Sequence, residues 1–285
     1  MPYRPDPRIP VLKLADGTEI PRLGLGTWTL GERRNDRARE VAVVREALDL
    51  GVTLIDTAEM YGEGGAEEVV GEAIAGRRDR VFIVSKVYPH NAGAKSAIAA
   101  CERSLERLKT DRLDLYLLHW RGRIPLAETI GAFSKLKRDG KIARWGVSNL
   151  GLKDMRELAA IAGGDACATN QVLYHLDERG IEWDLAPWMR ERAMPVMAYS
   201  PFGHGALLRN RRLAAIAREL SATPAQLALA WVLKQPLVFT VPMTRDAAHL
   251  RANVGALGLE LDQAALAALD AAFPAPSGPS PLAML

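Results

Sequence analysis

Cysteine is scarce in this sequence, and its two copies lie too far apart to act together. Cys101 and Cys167 form no C-x-x-C pair, so they provide neither a disulfide framework nor a thiolate zinc site. Long apolar runs are also missing, and the first ten residues carry proline and charge where a secretory signal needs an apolar stretch. We therefore expect a cytoplasmic protein without a metal site or a membrane-spanning segment.

An excess of charge of one sign is absent as well. The 37 lysine and arginine residues nearly balance the 34 aspartate and glutamate residues, which leaves a formal net charge of +3. Short basic pieces such as RNRR are scattered among acidic residues, so no nucleic-acid partner is expected. With 48% hydrophobic and 25% charged residues, the composition is that of a globular protein with a full-sized core.

The sequence also lacks a complete glycine-rich fingerprint for a dinucleotide or a nucleoside triphosphate. GLGTWTLG has the first two glycines of G-x-G-x-x-G but no third at the right spacing, and GEGGAE and GHGALL fail in the same way. An open doubly wound sheet usually carries this fingerprint in its first turn. Its absence argues against that architecture.

What the sequence does contain is a regular alternation of short apolar runs with longer amphipathic stretches. The short runs are apolar without interruption, which indicates strands buried on both faces, as in a parallel sheet. Eight such strands are predicted: RLGLG, VTLID, RVFIVSK, LDLYLLH, ARWGVSN, CATNQV, PVMAYS and LVFTVP.

The amphipathic stretches have apolar residues three and four positions apart, the spacing of a helix with one buried face. The clearest of them before residue 170 are 37–50, 94–108, 126–139 and 152–162. Thr223, Pro224 and Gln226 supply a cap, a proline at the first helical position and a capping-box partner, so they predict a helix start. Two more helical stretches, 246–256 and 262–272, follow the last strand.

A hairpin precedes these units, because Asp16-Gly17 lies between two short apolar segments. Eight strand-helix units in one uninterrupted chain are what a (β/α)8 TIM barrel requires. We predict a single barrel domain over residues 1–285, in the α/β class. It would carry an N-terminal hairpin segment at 1–22, two extra C-terminal helices and an irregular tail at 274–285.

Four polar residues fall at or just after the ends of neighbouring strands, where barrels place their chemistry. Asp56, Lys86 and His119 each close a predicted strand, and Tyr61 lies in the loop after Asp56. An ion pair with Lys86 would offset the burial of Asp56, and the cation would lower the pKa of Tyr61 from about 10. His119, as a neutral imidazole, could polarise a carbonyl oxygen. These four residues together predict a proton donor for a carbonyl group. Reduction of that carbonyl also needs a hydride donor.

Later strand ends carry residues suited to holding a hydride donor. Ser148, Asn149 and Gln171 offer hydroxyl and amide groups for a nicotinamide carboxamide, and the Tyr199 ring could stack on a flat heterocycle. Turn formation and packing explain these residues equally well when each is taken alone. An apolar pocket is expected at the barrel mouth, from Trp28, Met60, Tyr88 and Trp120.

At these residues the sequence resembles the aldo-keto reductase family, from the hairpin to the last helix. LIDTAEMYG, SK, LHW, GVSN, NQV and AYSPFG occur in the order in which that family carries its motifs. The resemblance implies a barrel that binds extended NADP(H) without a Rossmann domain. It also implies that Tyr61 is the general acid, that Lys86 and Asp56 tune it, and that His119 orients the substrate.

The resemblance further implies a set of cofactor contacts. Ser148, Asn149 and Gln171 would hold the carboxamide, and Tyr199 would stack on the nicotinamide. The remaining candidate cofactor contacts are Thr27, Ser200, Phe202, Thr244, Arg245, His249 and Asn253.

Two positions depart from the family pattern. Met243 stands where many members have a lysine, and His249 where many have an arginine, and both positions contact the 2′-phosphate of NADPH. Losing one such charge-assisted hydrogen bond lowers the preference for NADPH by roughly ten- to a hundredfold. NADPH remains the expected cofactor with Arg245 compensating, and NADH stays open.

DTAEMY, LLHWRG and the proline-rich end resemble bacterial reductases of methylglyoxal and similar short aldehydes, so a small-molecule carbonyl substrate is expected. Two other readings stay open. Lys86 could instead form a Schiff base with a substrate, as in barrel aldolases. The barrel could also be a nucleotide-binding regulatory subunit with hardly any turnover. A monomer is expected, and a dimer is left open.

Overall fold

The structure is a computed structural model and describes residues 3–285, except for the side chain of Arg34. Eight parallel strands form one sheet in which each strand pairs with its neighbours in the chain. They are β3 (Gly24–Gly26), β4 (Leu54–Asp56), β5 (Phe82–Val87), β6 (Leu115–Leu118), β7 (Trp145–Ser148), β8 (Asn170–Leu173), β9 (Val196–Tyr199) and β10 (Val238–Thr240).

The first and last strands of this sheet meet and close it. Leu23 forms a parallel bridge with Thr240, and the backbone N–H of Gly26 donates to the Pro242 carbonyl at 3.1 Å. Closure removes the exposed edges that an open sheet would have. The predicted (β/α)8 barrel is therefore confirmed.

A two-stranded hairpin, β1 (Val11–Lys13) and β2 (Glu19–Pro21), precedes the barrel. Gly17 has a φ of +82°, and the backbone N–H of Thr18 donates to the Asp16 carboxylate at 3.0 Å, which forms the predicted turn. Leu12 and Ile20 of the hairpin pack against side chains inside the barrel, such as Phe82. The hairpin thus fills one end of the barrel and leaves the other end for the site.

Helices cover the outside of the barrel. They are α1 (Arg37–Asp49), α2 (Gly65–Ala73), α3 (Ser96–Leu108), α4 (Leu126–Arg138), α5 (Leu152–Ala160), α6 (Leu185–Arg190), α7 (Arg211–Glu219), α8 (Pro224–Lys234), α9 (Ala247–Gly255) and α10 (Gln263–Ala272). The predicted capping box of α8 is present, with the Gln226 N–H 3.2 Å from Thr223 Oγ1. Both helices expected after the last strand are found: α9 packs beside α8 and α1, and α10 packs on α7.

Because the eight strands are parallel, their carboxyl ends meet at one rim of the barrel. Loops at this rim contain residues other than glycine with positive φ, among them Thr29, Asn149, Ser200 and His204. Such conformations are uncommon outside glycine, and they concentrate at functional sites. Over the described residues, no helix is long and apolar enough to cross a membrane.

Candidate active site

The centre of the rim is a buried ion pair. The ammonium Nζ of Lys86 lies 2.8 Å from Asp56 Oδ1 and 2.9 Å from Asp56 Oδ2, and it also donates to the Thr57 carbonyl at 2.9 Å. Burial by itself lowers the pKa of Lys86, but the Asp56 carboxylate and the Tyr61 hydroxyl outweigh it and raise that pKa. Lys86 is therefore a fixed cation, which makes it a poor Schiff-base nucleophile.

Tyr61 lies against this cation. Its hydroxyl is 3.1 Å from Lys86 Nζ, and it begins a short turn, Tyr61–Gly64, in which Gly62 and Gly64 have φ values of +57° and +93°. The glycines of the GEGG stretch therefore let the chain turn sharply and keep the tyrosine over the strand end.

The net pKa of Tyr61 differs from the sequence expectation. Burial raises the pKa of the phenol above its ordinary value, the Lys86 charge lowers it, and the Asp56 charge raises it again. Desolvation outweighs the charge of Lys86 although the residue is only half-buried, because protein atoms of the barrel rim replace much of the water around the phenol. Tyr61 therefore holds its proton at neutral pH, and Lys86 limits the shift without reversing it.

His119 completes the set. Its imidazole meets the Tyr61 ring edge to face, with the centroids 5.7 Å apart, and its Nδ1 is buried without a hydrogen-bond partner. Burial lowers the pKa of His119 well below its usual range, and the charge of Lys86 lowers it further. The ring is thus neutral at physiological pH.

A neutral buried histidine predicts a stability that depends on pH. In the unfolded chain, the imidazole takes up a proton near pH 6.5, whereas the folded His119 does not. The free energy of unfolding should therefore fall as the pH drops below about 6.5, by up to about 1.4 kcal/mol per pH unit for each such histidine. Urea unfolding at pH 5, 6 and 7 measures this slope.

The matched variants are His119→Gln and His90→Gln. The first should reduce the slope without abolishing it, because burial also lowers the pKa of His175. The second changes an exposed histidine and should leave the slope as in the wild type. An unchanged slope in His119→Gln would contradict a neutral His119.

Hydroxyl and amide groups from β7, β8 and β9 form a connected network beside this set. Tyr199 donates from its hydroxyl to Asn149 Oδ1 at 3.0 Å, and Asn149 Nδ2 donates to Ser148 Oγ at 3.2 Å. Gln171 Nε2 donates to Asp56 Oδ1 at 3.0 Å, so this network reaches the buried ion pair. The predicted carboxamide contacts thus lie together.

A cavity of about 210 Å³ opens above these groups. Asp56, Tyr61 and His119 form part of its wall, and the candidate pocket residues Trp28, Met60 and Trp120 form another part. The fourth candidate, Tyr88, lies behind Trp120, with the ring centroids 5.8 Å apart. Tyr88 therefore supports the pocket wall and does not line it.

A second cavity of about 570 Å³ continues from the first towards α9. The two share Trp28, Ser200, His204 and Met243, so they form one elongated groove. Four of the predicted cofactor contacts line only the second cavity: Phe202, Thr244, His249 and Asn253.

Two predicted cofactor contacts are turned away from the groove. Thr27 is fully buried, and its hydroxyl donates to the Asp56 carbonyl at 2.9 Å, so it fixes the end of β4. Arg245 donates to the Thr29 carbonyl and faces Glu32 and Glu40. Neither position could be read from the sequence, because the strand pattern does not specify loop contacts.

Two further residues at the rim were not predicted from the sequence. Glu59 accepts from the Tyr88 N–H at 2.8 Å and from Asn91 Nδ2 at 3.0 Å, which ties the loop of Tyr61 to the loop after β5. His204 stacks on Trp28 with the centroids 4.7 Å apart. The only sequence signal for Glu59 was its position two residues before Tyr61, and no sequence signal marked His204.

Within residues 3–285, no cluster of three or more His, Cys, Asp and Glu side chains could hold a metal ion. A closed barrel with a buried Asp-Lys pair, a tyrosine and a neutral histidine at its rim has the acid-base groups that an oxidoreductase of carbonyl compounds needs. The sequence model of the Aldo/keto reductase family matches residues 22–273. The chain belongs to this family, whose members are NAD(P)H-dependent oxidoreductases.

Particular relatives are similar over nearly the full length. Methylglyoxal reductase YeaE of Escherichia coli (strain K12) is 51% identical over 280 residues, covering 96% of this chain and 99% of its own. Glyoxal reductase of Bacillus subtilis (strain 168) is 35% identical, with 91% of each chain covered. A crystal structure of an aldo/keto reductase from Klebsiella pneumoniae in complex with NADP and acetate is 49% identical, with a TM-score of 0.94 and coverage of 96% and 99%.

Proposed function

We propose that this protein reduces methylglyoxal and similar short 2-oxoaldehydes to alcohols with NADPH, and that Tyr61 is the general acid. The observation that carries the proposal is the Tyr61 hydroxyl, 3.1 Å from the buried Lys86 ammonium at the wall of a small cavity. A protonated phenol next to a fixed cation can give its proton to a carbonyl oxygen and remain stabilised as the anion.

The residues at the groove fit an extended dinucleotide. The first cavity has the Tyr199 ring and the amides of Asn149 and Gln171 in its wall, which suit a flat heterocycle with a carboxamide. The second cavity adds the polar side chains of Thr244 and Asn253. The bound cofactor would supply the hydride.

Each residue of the set has one task in this proposal. Tyr61 holds the proton that the substrate oxygen receives, and Lys86 stabilises the phenolate that remains. Asp56 keeps Lys86 charged, because an ammonium buried without a partner would lose its proton. His119, which is neutral and forms part of the cavity wall, orients the carbonyl by hydrogen bonding rather than by charge.

The size of the first cavity supports a small substrate. About 210 Å³ lies below the usual range for drug-sized ligands, and large apolar side chains such as Trp28, Met60 and Trp120 narrow it. Met284 and Leu285 of the C-terminal tail also form part of the wall. The similarity to reductases named for methylglyoxal and glyoxal supports the same substrate class.

NADPH is the proposed cofactor, with NADH as a weaker substitute. The NADP complex of the Klebsiella pneumoniae relative supports NADPH as the cofactor. The uncharged Met243 at the second cavity supports NADH as a substitute, because no lysine is present there to favour the 2′-phosphate.

The test is the loss of absorbance at 340 nm when purified protein is mixed with methylglyoxal and either NADPH or NADH. We expect rapid oxidation of NADPH and slower oxidation of NADH. Glucose, a bulkier aldehyde, is the control substrate and should be turned over far more slowly. Negligible turnover of methylglyoxal would contradict the substrate proposal, and tight NADPH binding without turnover of any aldehyde would favour the regulatory-subunit reading.

A further inference from the structure

Arg245 has an unusual set of neighbours for a residue next to a cofactor groove. Its Nη2 lies 3.7 Å from Glu32 Oε2, and its Nε lies 3.7 Å from Glu40 Oε1. It also donates to the Thr29 carbonyl. The guanidinium therefore faces the loop after β3 and the first turn of α1, and Arg245 is not among the residues that line the second cavity.

Arg245 and Glu40 form an ion pair but no hydrogen bond. Glu40 is buried, and its Oε2 accepts from the Gly31 N–H at 2.8 Å, but its Oε1 has no hydrogen-bond partner. Arg245 Nε is also buried without a partner. Buried polar atoms are nearly always hydrogen-bonded, so this long ion pair of 3.7 Å leaves the Nε–H donor of Arg245 without an acceptor.

The other residues of the segment 241–253, which follows β10, add little positive charge. Met243 is neutral, and Arg251 is paired with Glu46. The Asp246 carboxylate caps α9 by accepting from the backbone N–H groups of Ala248 and His249, so the start of that helix already carries a negative charge. Both carboxylate contacts of Arg245 are 3.7 Å long, whereas Arg251 is closely paired, so Arg245 has the weaker carboxylate pairing of the two arginines.

Building on the proposed function, we propose that Glu32 and Glu40 set the cofactor preference by competing with the 2′-phosphate of NADPH for Arg245. A guanidinium pairs with a phosphate through two parallel hydrogen bonds, which the distant carboxylates do not provide. When NADPH binds, Arg245 must give up its contacts with both glutamates to pair with the 2′-phosphate. When NADH binds, Arg245 keeps those contacts. The two carboxylates therefore weaken NADPH binding and leave NADH binding unaffected.

The experiment measures the dissociation constants of NADPH and NADH by quenching of protein fluorescence, for the wild type, Glu32→Gln and Glu40→Gln. Glutamine keeps the size of the side chain, and at position 40 it keeps an acceptor for the Gly31 N–H. For the exposed Glu32, we expect the NADPH constant to fall by about two- to fivefold, with a larger fall for the buried Glu40. The NADH constant should stay the same.

Two further variants make the test specific. Glu106→Gln removes the same charge from an exposed position on α3 and should change neither constant. Arg245→Gln should raise the NADPH constant, and in that background Glu32→Gln should have no further effect, because the competition needs the arginine.

Other outcomes overturn the inference in distinguishable ways. Equal changes for NADPH and NADH would show that the glutamates only hold the loop. No change in Glu32→Gln and Glu40→Gln would show that they do not compete with the phosphate. If the wild type bound neither nucleotide, the proposed function itself would fail, together with this inference.

Discussion

Changing Tyr61 to phenylalanine is expected to lower kcat for aldehyde reduction by about 10²- to 10⁴-fold, the usual contribution of a positioned acid. The variant keeps the aromatic ring that meets His119 edge to face, and it loses only the hydroxyl that lies 3.1 Å from Lys86. The dissociation constant of NADPH should not change. Stopped-flow absorbance at 340 nm measures the first quantity, and protein fluorescence the second.

Tyr116→Phe is the matched control for this experiment. Tyr116 lies on β6, which β5 separates from β4, and its hydroxyl is buried without a hydrogen-bond partner. Removing that hydroxyl should leave both kcat and the free energy of unfolding unchanged, or should stabilise the fold slightly. A Tyr61→Phe variant as active as Tyr116→Phe would rule out the proposed acid role.

Changing Lys86 to methionine is expected to damage both stability and activity. The variant leaves the Asp56 carboxylate, which is 3% exposed, without its cation. Breaking a buried pair by removing one partner costs about 3 to 5 kcal/mol of unfolding free energy. The Gln171 amide, 3.0 Å from Asp56, is too weak a partner to replace the ammonium. Urea unfolding at pH 7 measures the loss.

The double variant Asp56→Asn with Lys86→Met separates the two effects. Removing both charges leaves no uncompensated ion, so most of the lost stability should return. The turnover of aldehyde should stay low, because the double variant has no cation beside Tyr61 to stabilise the phenolate. Recovery of activity together with stability would show that the ion pair has only a structural role.

Much of the fold could be predicted because its signals are local. Uninterrupted apolar runs marked all eight barrel strands, and the Thr223 capping box marked the start of α8. The sequence patterns gave no bounds for α2, α6 or α7, and α6 has only six residues, which are too few for a helical pattern to stand out. Local patterns thus specify elements better than they specify short connections.

The candidate site was predictable to a similar degree. Asp56, Lys86 and His119 each stand at a strand end, and parallel strands bring such ends to one rim whatever the loops do. The sequence predicted a lowered pKa for Tyr61, and this prediction was wrong, because the competing contributions of burial and of the Lys86 charge depend on the assembled rim. Burial of this kind is a property of the assembled rim.

By itself, the sequence determined the barrel, the order of its strands, and which polar residues reach the rim. It could do so because strand and helix periods, caps and turns act over a few neighbouring residues. The tertiary structure alone decided that Arg245 turns towards Glu40, that Tyr88 lies behind Trp120, and that His204 stacks on Trp28. Those contacts join segments far apart in the chain, and only the closed barrel brings these segments together.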